Sequence, residues 1–345
     1  MKKSLFVLGV AVAALASCTN EEVMDVAQNR AIGFSSFVNN NTRAVTEVGN
    51  SASTGVEQLT SFYVFGNYGV DQTTGPWTGE AFNNELQTAE YYWQVGNHYR
   101  FGAYANGNGG KIESANVAFD ASQQQLSFTG YTPDDAKDLV AAFGTGDASA
   151  SAPQDAVSLT FSHMLSQVGL TFTTDAAATY ELTISNVQIA DAISTSNATV
   201  IASQSPVWAS SGEGVVSNGY TYADFADGLV ISSEAPASQT KLVIPQNNTN
   251  SLSVSFTATI AGEAPYGSTI LTKNFTASLA HNITDSGLSA NTWTNGYRYN
   301  YTAKVEIKDI VDNPDDLVQI TFEPSVTEWQ NASDEDITTN PQPAS

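Results

Sequence analysis

The sequence has one cysteine, few basic residues and no apolar run long enough to cross a membrane as a helix. Because Cys18 stands alone, no disulfide can form within the chain, and the fold depends on its core. Lys and Arg number 12 against 35 Asp and Glu, which gives a formal net charge of -23. A surface of this sign repels phosphate backbones, so we expect no nucleic-acid partner.

Residues that carry catalytic or metal-binding chemistry are also scarce. The three histidines have no carboxylate or second histidine at the spacing of metal ligands. No Gly-x-Ser-x-Gly motif occurs, and the glycine cluster at 106–110 lacks two positions that a phosphate-binding loop requires. We therefore expect no cofactor, no metal site and no enzymatic activity. A glycosidase pair among the many carboxylates stays open, although no pattern selects two of them.

The N-terminus is typical of an exported lipoprotein. Two lysines precede an apolar segment at 5–15, which is much shorter than the about 20 residues of a membrane-spanning helix. This pattern predicts a secretory signal peptide over residues 1–17. Two small residues come directly before Cys18, as in a bacterial lipobox. We predict that Cys18 is lipidated and that this lipid anchors the precursor.

Apolar and polar residues alternate with a period of two along much of the chain, as in half-buried β-strands. The clearest examples lie at 252–260, 297–307 and 318–322. Many short strands separated by turn signals predict an all-β fold built of β-sandwiches. Residues 133–143 fit either a short helix or a turn into a buried strand.

An Ala/Ser-rich loop at 144–153 suggests a division into two parts. We predict one β-sandwich over residues 31–156 and a second over 157–330. A polar tail follows over 331–345. Within the second part, the Gly/Ser-rich stretch 206–222 is predicted to be an exposed connection.

The stretch after Cys18 combines a first strand with a bond that a protease could cut. A strand is predicted over 31–38, with Ile32, Phe34 and Val38 on one face. Arg43 and Ala44 follow after a few polar, turn-prone residues, where a protease can reach the backbone. Residues 18–43 therefore form a predicted N-terminal pro-segment whose first strand is removable.

A group of aromatic residues keeps a second function open. Exposed aromatic rings can stack on sugars, which would suit a glycan-binding lipoprotein of the outer-membrane surface. Packing in the core is the alternative explanation for the same rings. The residues concerned are Trp77, Tyr91, Tyr92, Trp93 and Trp208.

Five short motifs, taken in order, resemble those of the fimbrillins, the type V pilus subunit family of Bacteroidia. They lie at 15–18, at 33–44, at 161–168, at 242–246 and at 293–301. The resemblance spans nearly the whole chain. It implies two transthyretin-like β-sandwich domains in tandem, which agrees with the strand pattern.

The resemblance also implies a route to the cell surface. Fimbrillins are exported as lipoproteins, reach the outer membrane and are assembled into a fimbrium. Glu21 and Glu22, just after the lipidated cysteine, resemble the surface-export signal of this group. The implied partners are the lipid anchor in the outer membrane, an arginine-specific protease, other fimbrial subunits and a host or bacterial surface ligand.

Assembly in this family implies strand exchange. A protease cuts after an arginine, here Arg43 or alternatively Arg30, and releases the first strand. A cut at Arg30 would leave Ile32, Phe34 and Val38 on the chain. A strand from another subunit then fills the exposed groove, with ladder hydrogen bonds giving affinity and alternate side chains giving register.

The C-terminus leaves the position in the fimbrium open between stalk, tip and anchor. The donor strand of stalk subunits is a C-terminal extension, whereas residues 331–345 are polar here. Either the region with Val318, Ile320, Phe322 and Trp329 is the donor strand, or this is a tip or anchor subunit.

Overall fold

The structure is a computed structural model that describes residues 30–38, 59, 61–107, 109–175, 180–232, 234–262, 271–284, 288–311 and 317–328. Regular structure in these residues is almost entirely β-strand, with one short α-helix and two single 3-10 turns. The predicted all-β fold is confirmed.

Short strands and turns follow one another along the chain, because the segments with a period of two are short and are separated by turn residues. The strands are β1 (Phe34–Val38), β2 (Tyr63–Gly69), β3 (Gly79–Leu86), β4 (Asn97–Asn106), β5 (Val117–Asp120), β6 (Gln125–Tyr131), β7 (Leu139–Ala148), β8 (Val157–His163), β9 (Ser166–Thr173), β10 (Tyr180–Ile189), β11 (Ser196–Ile201), β12 (Val207–Trp208), β13 (Tyr220–Thr221), β14 (Leu229–Ile231), β15 (Ala237–Val243), β16 (Gln246–Asn247), β17 (Ser253–Gly262), β18 (Leu271–Ser278), β19 (Thr292–Trp293), β20 (Tyr297–Lys304), β21 (Leu317–Gln319) and β22 (Glu323–Glu328). The helix α1 spans Ile307–Val311.

Two sheets form the part of the fold that holds the N-terminal strand. The first sheet has the strand order β1-β8-β7-β4-β2-β3, and the second has the order β12-β11-β6-β5. One face of the first sheet packs on the second sheet through a buried cluster that includes Tyr104, Leu126, Phe128 and Leu139. The opposite face of the first sheet carries a separate buried cluster. That face is the one that β1 helps to cover.

Two further sheets enclose the largest core. The third sheet has the order β13-β10-β17-β18-β21, with β14 also beside β10, and the fourth has the order β15-β9-β20-β22. Apolar residues at alternate positions of both sheets meet in this core, among them Phe172, Phe256 and Tyr301. Strands β16 and β19 form a small separate pair.

Strand pairing runs across the predicted boundary between residues 156 and 157. Strand β8 pairs with β1 and β7 in the first sheet. Strand β11 pairs with β6 in the second sheet. The division into domains 31–156 and 157–330 stays a prediction, but the second sheet is built from both sides of it.

Two local expectations are resolved by the structure. Residues 133–143 contain no helix; a turn closed by a bridge between Asp134 and Lys137 leads into the buried strand β7. The expectation of a strand through residue 307 is wrong, because β20 ends at Lys304 and α1 begins at Ile307. The Asp309 carboxylate accepts a hydrogen bond from the backbone N–H of Glu306 at 3.0 Å, which fixes the start of this helix.

Candidate functional site

The N-terminal segment is an edge strand that changes partner along its length. From Phe34 to Val38 it runs parallel to β8, with Phe34 opposite Val157 and Val38 opposite Phe161. Before Phe34 it pairs with the segment 91–93 instead. There the Ile32 N–H donates to the Tyr91 carbonyl at 2.7 Å, and the Trp93 N–H donates to the Arg30 carbonyl at 3.0 Å. The segment therefore bridges two otherwise separate backbone edges.

The side chains of this segment enter the apolar cluster of the first sheet. Ile32 is 4% exposed and Ser36 is 3% exposed. Between them, Phe34 makes edge contacts with Phe82 and Phe101, at ring-centroid distances of 5.3 and 5.4 Å. Ile32 and Phe34 lie on one face, as predicted, and Ser36 shares that face. For Val38, the structure describes the backbone pairing in β1.

The contact between Phe34 and Phe82 shows that the first sheet curls strongly. Phe34 lies on β1 and Phe82 on β3, and these strands are at opposite edges of the six-stranded sheet. Their rings nevertheless meet at 5.3 Å. Such curling follows from the right-handed twist of strands accumulating over six strands. As a result, the N-terminal segment lies across the opening between β8 and residues 91–93.

The floor beneath the segment is apolar and largely aromatic. It consists of Phe62, Val64, Phe82, Trp93, Phe101, Leu159 and Phe161, all of which are buried. The Ser36 hydroxyl donates to the Leu59 carbonyl at 2.6 Å, so the strand is also tied to the chain that follows the predicted cut. Removing the segment would uncover this floor together with two unpaired backbone edges.

The two predicted cleavage sites differ in what the structure describes. Arg30 is at the start of the segment, and its guanidinium hydrogen-bonds the side chain and the backbone carbonyl of Gln154. The backbone on both sides of the Arg30-Ala31 bond is engaged with residues 91–93. Arg43 and Ala44 lie outside the described residues, as do Cys18, Glu21 and Glu22.

The predicted donor residues lie in the core of their own chain. Val318 on β21 and Phe322 are buried among the third and fourth sheets. The Phe322 ring is 6.1 Å from those of Phe172 and Tyr301. Ile320 is half-buried against the same core, and its N–H donates to the Thr276 carbonyl. Trp329 and the tail 331–345 lie outside the described residues.

The described residues offer little for other chemistry. They contain no group of three His, Cys, Asp or Glu side chains that could hold a metal ion. His163, the last residue of β8, and Asp138, just before β7, form a fully buried pair with 2.5 Å between Nδ1 and Oδ2. His163 is therefore a packed core residue. No helix within the described ranges has the length and apolar character needed to cross a bilayer.

Sequence reasoning missed one half of this site. The segment 91–93 was visible as an aromatic run, but nothing in the local pattern shows that its backbone pairs with residues 30–32. That pairing joins positions about 60 residues apart and depends on the curl of the whole sheet. Burial of Trp93 and Trp77 assigns these two indoles to the core, whereas Tyr92 is exposed.

Taken together, these features define a class: an all-β protein whose first strand is an edge strand that completes a curled sheet over an aromatic floor. A sequence model of the fimbrillin-like family matches residues 30–329, and the chain belongs to this family. Membership favours a structural role in a surface fimbrium over an enzymatic one.

A solved structure with a TM-score above 0.5 supports the fold. A fimbrial protein from Bacteroides vulgatus superposes with a TM-score of 0.54 at 15% identity, covering 88% of this chain and 100% of that one. The fimbrial anchor protein Mfa2 from Porphyromonas gingivalis matches at a TM-score of 0.34 and 10% identity, covering 86% of this chain and 98% of that one. No curated protein sequence matches the chain.

Proposed function

We propose that this chain is a structural subunit of a surface fimbrium that supports adhesion. It is exported as a lipoprotein through Cys18 and is assembled when an arginine-specific protease releases its first strand. The observation that carries the proposal is the position of residues 30–38 as a bridge over the aromatic floor. Family membership supplies the fimbrial context.

The geometry explains why release would drive assembly. Loss of the segment exposes the floor beneath Phe34 and leaves the outer edge of β8 without its ladder partner. Exposed apolar surface and unpaired backbone groups are both unfavourable. A strand from a second subunit can satisfy both at once, with apolar side chains at the positions of Ile32 and Phe34. While the chain is uncut, the tethered strand competes at high effective concentration and an incoming strand loses.

Pairing of the backbone around Arg30 argues against Arg30, so we take Arg43 as the proposed cleavage site. A protease needs an accessible backbone, and the backbone around Arg30 is paired with residues 91–93. A cut there would also leave Ile32 and Phe34 joined to the rest of the chain. A cut at Arg43 frees the whole of β1.

The placement of the C-terminal region favours a terminal position, as tip or anchor, over a stalk position. To act as a donor strand, residues 317–328 would have to leave a core in which Val318 and Phe322 are buried. Withdrawing such residues costs several kcal/mol, on the order of a core truncation. A subunit that accepts a strand but does not donate one would end the fimbrium.

A reversible covalent lock tests strand release directly. Ser35 on β1 is paired with Ser158 on β8, so cysteines at both positions should form a disulfide between adjacent strands. We expect Ser35→Cys/Ser158→Cys, made in a Cys18→Ala background, to be cut by the protease but, when oxidised, neither to form high-mass species nor to cap preformed fibres. Reduction of the same sample should restore assembly, and each single cysteine variant serves as a control. Equal assembly with and without reductant would overturn the proposal.

A further inference from the structure

A cleft on the side of the first sheet forms a second site beside the groove that the N-terminal segment fills, and residues 91–93 border both. It has a volume of about 610 Å³. Its lining includes Tyr68, Glu80, Glu90, Tyr92, Gln94 and Val95. The size lies within the range of small-ligand sites. We propose that this cleft binds a neutral carbohydrate, with Tyr92 as the stacking platform.

Exposure singles out Tyr92. Its side chain is 49% exposed, and it is the one aromatic residue among the exposed large apolar side chains of the described residues. Every other Phe, Tyr and Trp whose side chain is described is at least half-buried. The neighbouring ring of Tyr91, by contrast, packs on Phe82 at 4.3 Å. An aromatic ring left in water beside a cleft suits the apolar face of a pyranose.

The loop that carries Tyr92 is fixed from within, so the platform is preorganised. Trp93 is buried and makes an edge contact with Tyr99 at 4.7 Å. The next N–H, from Gln94, donates to the Tyr99 hydroxyl at 2.6 Å. Gly146 lies under the Trp93 ring, where a Cβ would come within 2.4 Å of it. Binding to a fixed loop avoids the cost of ordering it.

The polar groups of the cleft select the kind of sugar. Glu80 and Glu90 are exposed and have no basic partner among the described residues. Their carboxylates can accept hydrogen bonds from sugar hydroxyls, and the Gln94 amide can both donate and accept. No Lys or Arg lines the cleft, so anionic sugars would be repelled. Because acidic residues dominate the whole surface, the exposed ring distinguishes this site more than its charge does.

Binding can be tested on the uncut monomer, so the result does not depend on strand exchange. Isothermal titration calorimetry would use the Cys18→Ala chain with mannohexaose, xylohexaose, cellohexaose and N-acetylchitohexaose as neutral probes. Sialyllactose and hexalysine would serve as anionic and cationic probes. We expect at least one neutral probe to bind, with little change between about 50 and about 500 mM NaCl, because screening acts on charges.

Variants locate the site. Tyr92→Ala should weaken binding at least about tenfold, as for an aromatic anchor, while Tyr92→Phe should keep most of it. Glu80→Gln/Glu90→Gln should weaken binding, whereas Glu213→Gln, outside the cleft, should not. The proposal is overturned if no neutral probe binds at about 10 mM. It is also overturned if Tyr92→Ala binds like the parent chain, or if hexalysine alone binds and is released by salt, which would indicate a basic peptide partner.

Discussion

The replacement Phe34→Ala probes how strongly the first strand is held. Phe34 packs edge-on against three rings, those of Phe62, Phe82 and Phe101, at centroid distances of 6.1, 5.3 and 5.4 Å. Truncating a buried Phe to Ala costs about 3–5 kcal/mol, and each aromatic pair contributes about 0.5–1.5 kcal/mol beyond its area. Because Phe34 is only half-buried, we expect the free energy of unfolding to fall by about 2–3 kcal/mol.

Urea unfolding of the uncut monomer measures this loss. Ser35→Ala is the matched control, since Ser35 lies on the same strand and alternates onto the opposite face. It should cost less than about 0.5 kcal/mol, as an ordinary surface change does. A loss below about 0.5 kcal/mol for Phe34→Ala would refute the account of the aromatic floor.

The same change should act on assembly after cleavage. A loss of about 2–3 kcal/mol corresponds to about 30- to 150-fold weaker retention of the cut strand. Protease-treated Phe34→Ala should therefore release its first strand and assemble faster than wild type. If unfolding is affected but the assembly rate is unchanged, departure of the strand does not limit assembly.

Three further predictions concern the core, pH and anchoring. Burial raises the pKa of Tyr104 to about 12, and its hydroxyl donates to the buried Asn84 side chain at 2.7 Å. Tyr104→Phe leaves the side-chain oxygen of Asn84 without this hydrogen-bond donor. It should lower the free energy of unfolding, measured in urea, by about 1–3 kcal/mol. Burial lowers the pKa of His281, whose Nε2 accepts the Thr292 N–H, so the folded state takes up a proton less readily than the unfolded state. Stability should fall as pH drops below about 6.5, and this loss between pH 7 and pH 5 should be smaller in His281→Gln, as read from urea midpoints. Cys18→Ala should move the precursor out of the membrane fraction; wild-type levels in that fraction would contradict lipid anchoring.

The sequence predicted the strands well where burial alternates. Val254, Phe256, Ala258 and Ile260 are buried on β17 as their spacing indicated. The period-two signal is local, and the pleat of a strand converts it directly into one buried face. The same reasoning placed Ile32 and Phe34 on one side of the first strand.

The alternation of apolar and polar residues does not show which strands and loops come together in space. The stretch 206–222 is rich in Gly and Ser, yet Tyr220 and Tyr222 within it are buried, and the expectation of an exposed connection fails there. Their hydroxyls donate to the carbonyls of Ile193 and Val168, at 2.6 and 2.9 Å. Such contacts depend on which strands meet in space, which local periodicity does not encode. The pairing of residues 30–32 with 91–93 was missed for the same reason.

The most direct test of strand release at Arg43 combines two proteases with one conservative change. Arg43→Lys keeps the charge but removes the site for an arginine-specific protease, while trypsin still cuts after lysine. By electron microscopy and gel ladders, wild type should form high-mass species, or cap preformed fibres if it is a tip subunit, after either protease. Arg43→Lys should do so only after trypsin, and Arg30→Lys should behave like wild type with both. Assembly of Arg43→Lys after the arginine-specific protease would contradict the account and direct attention to Arg30.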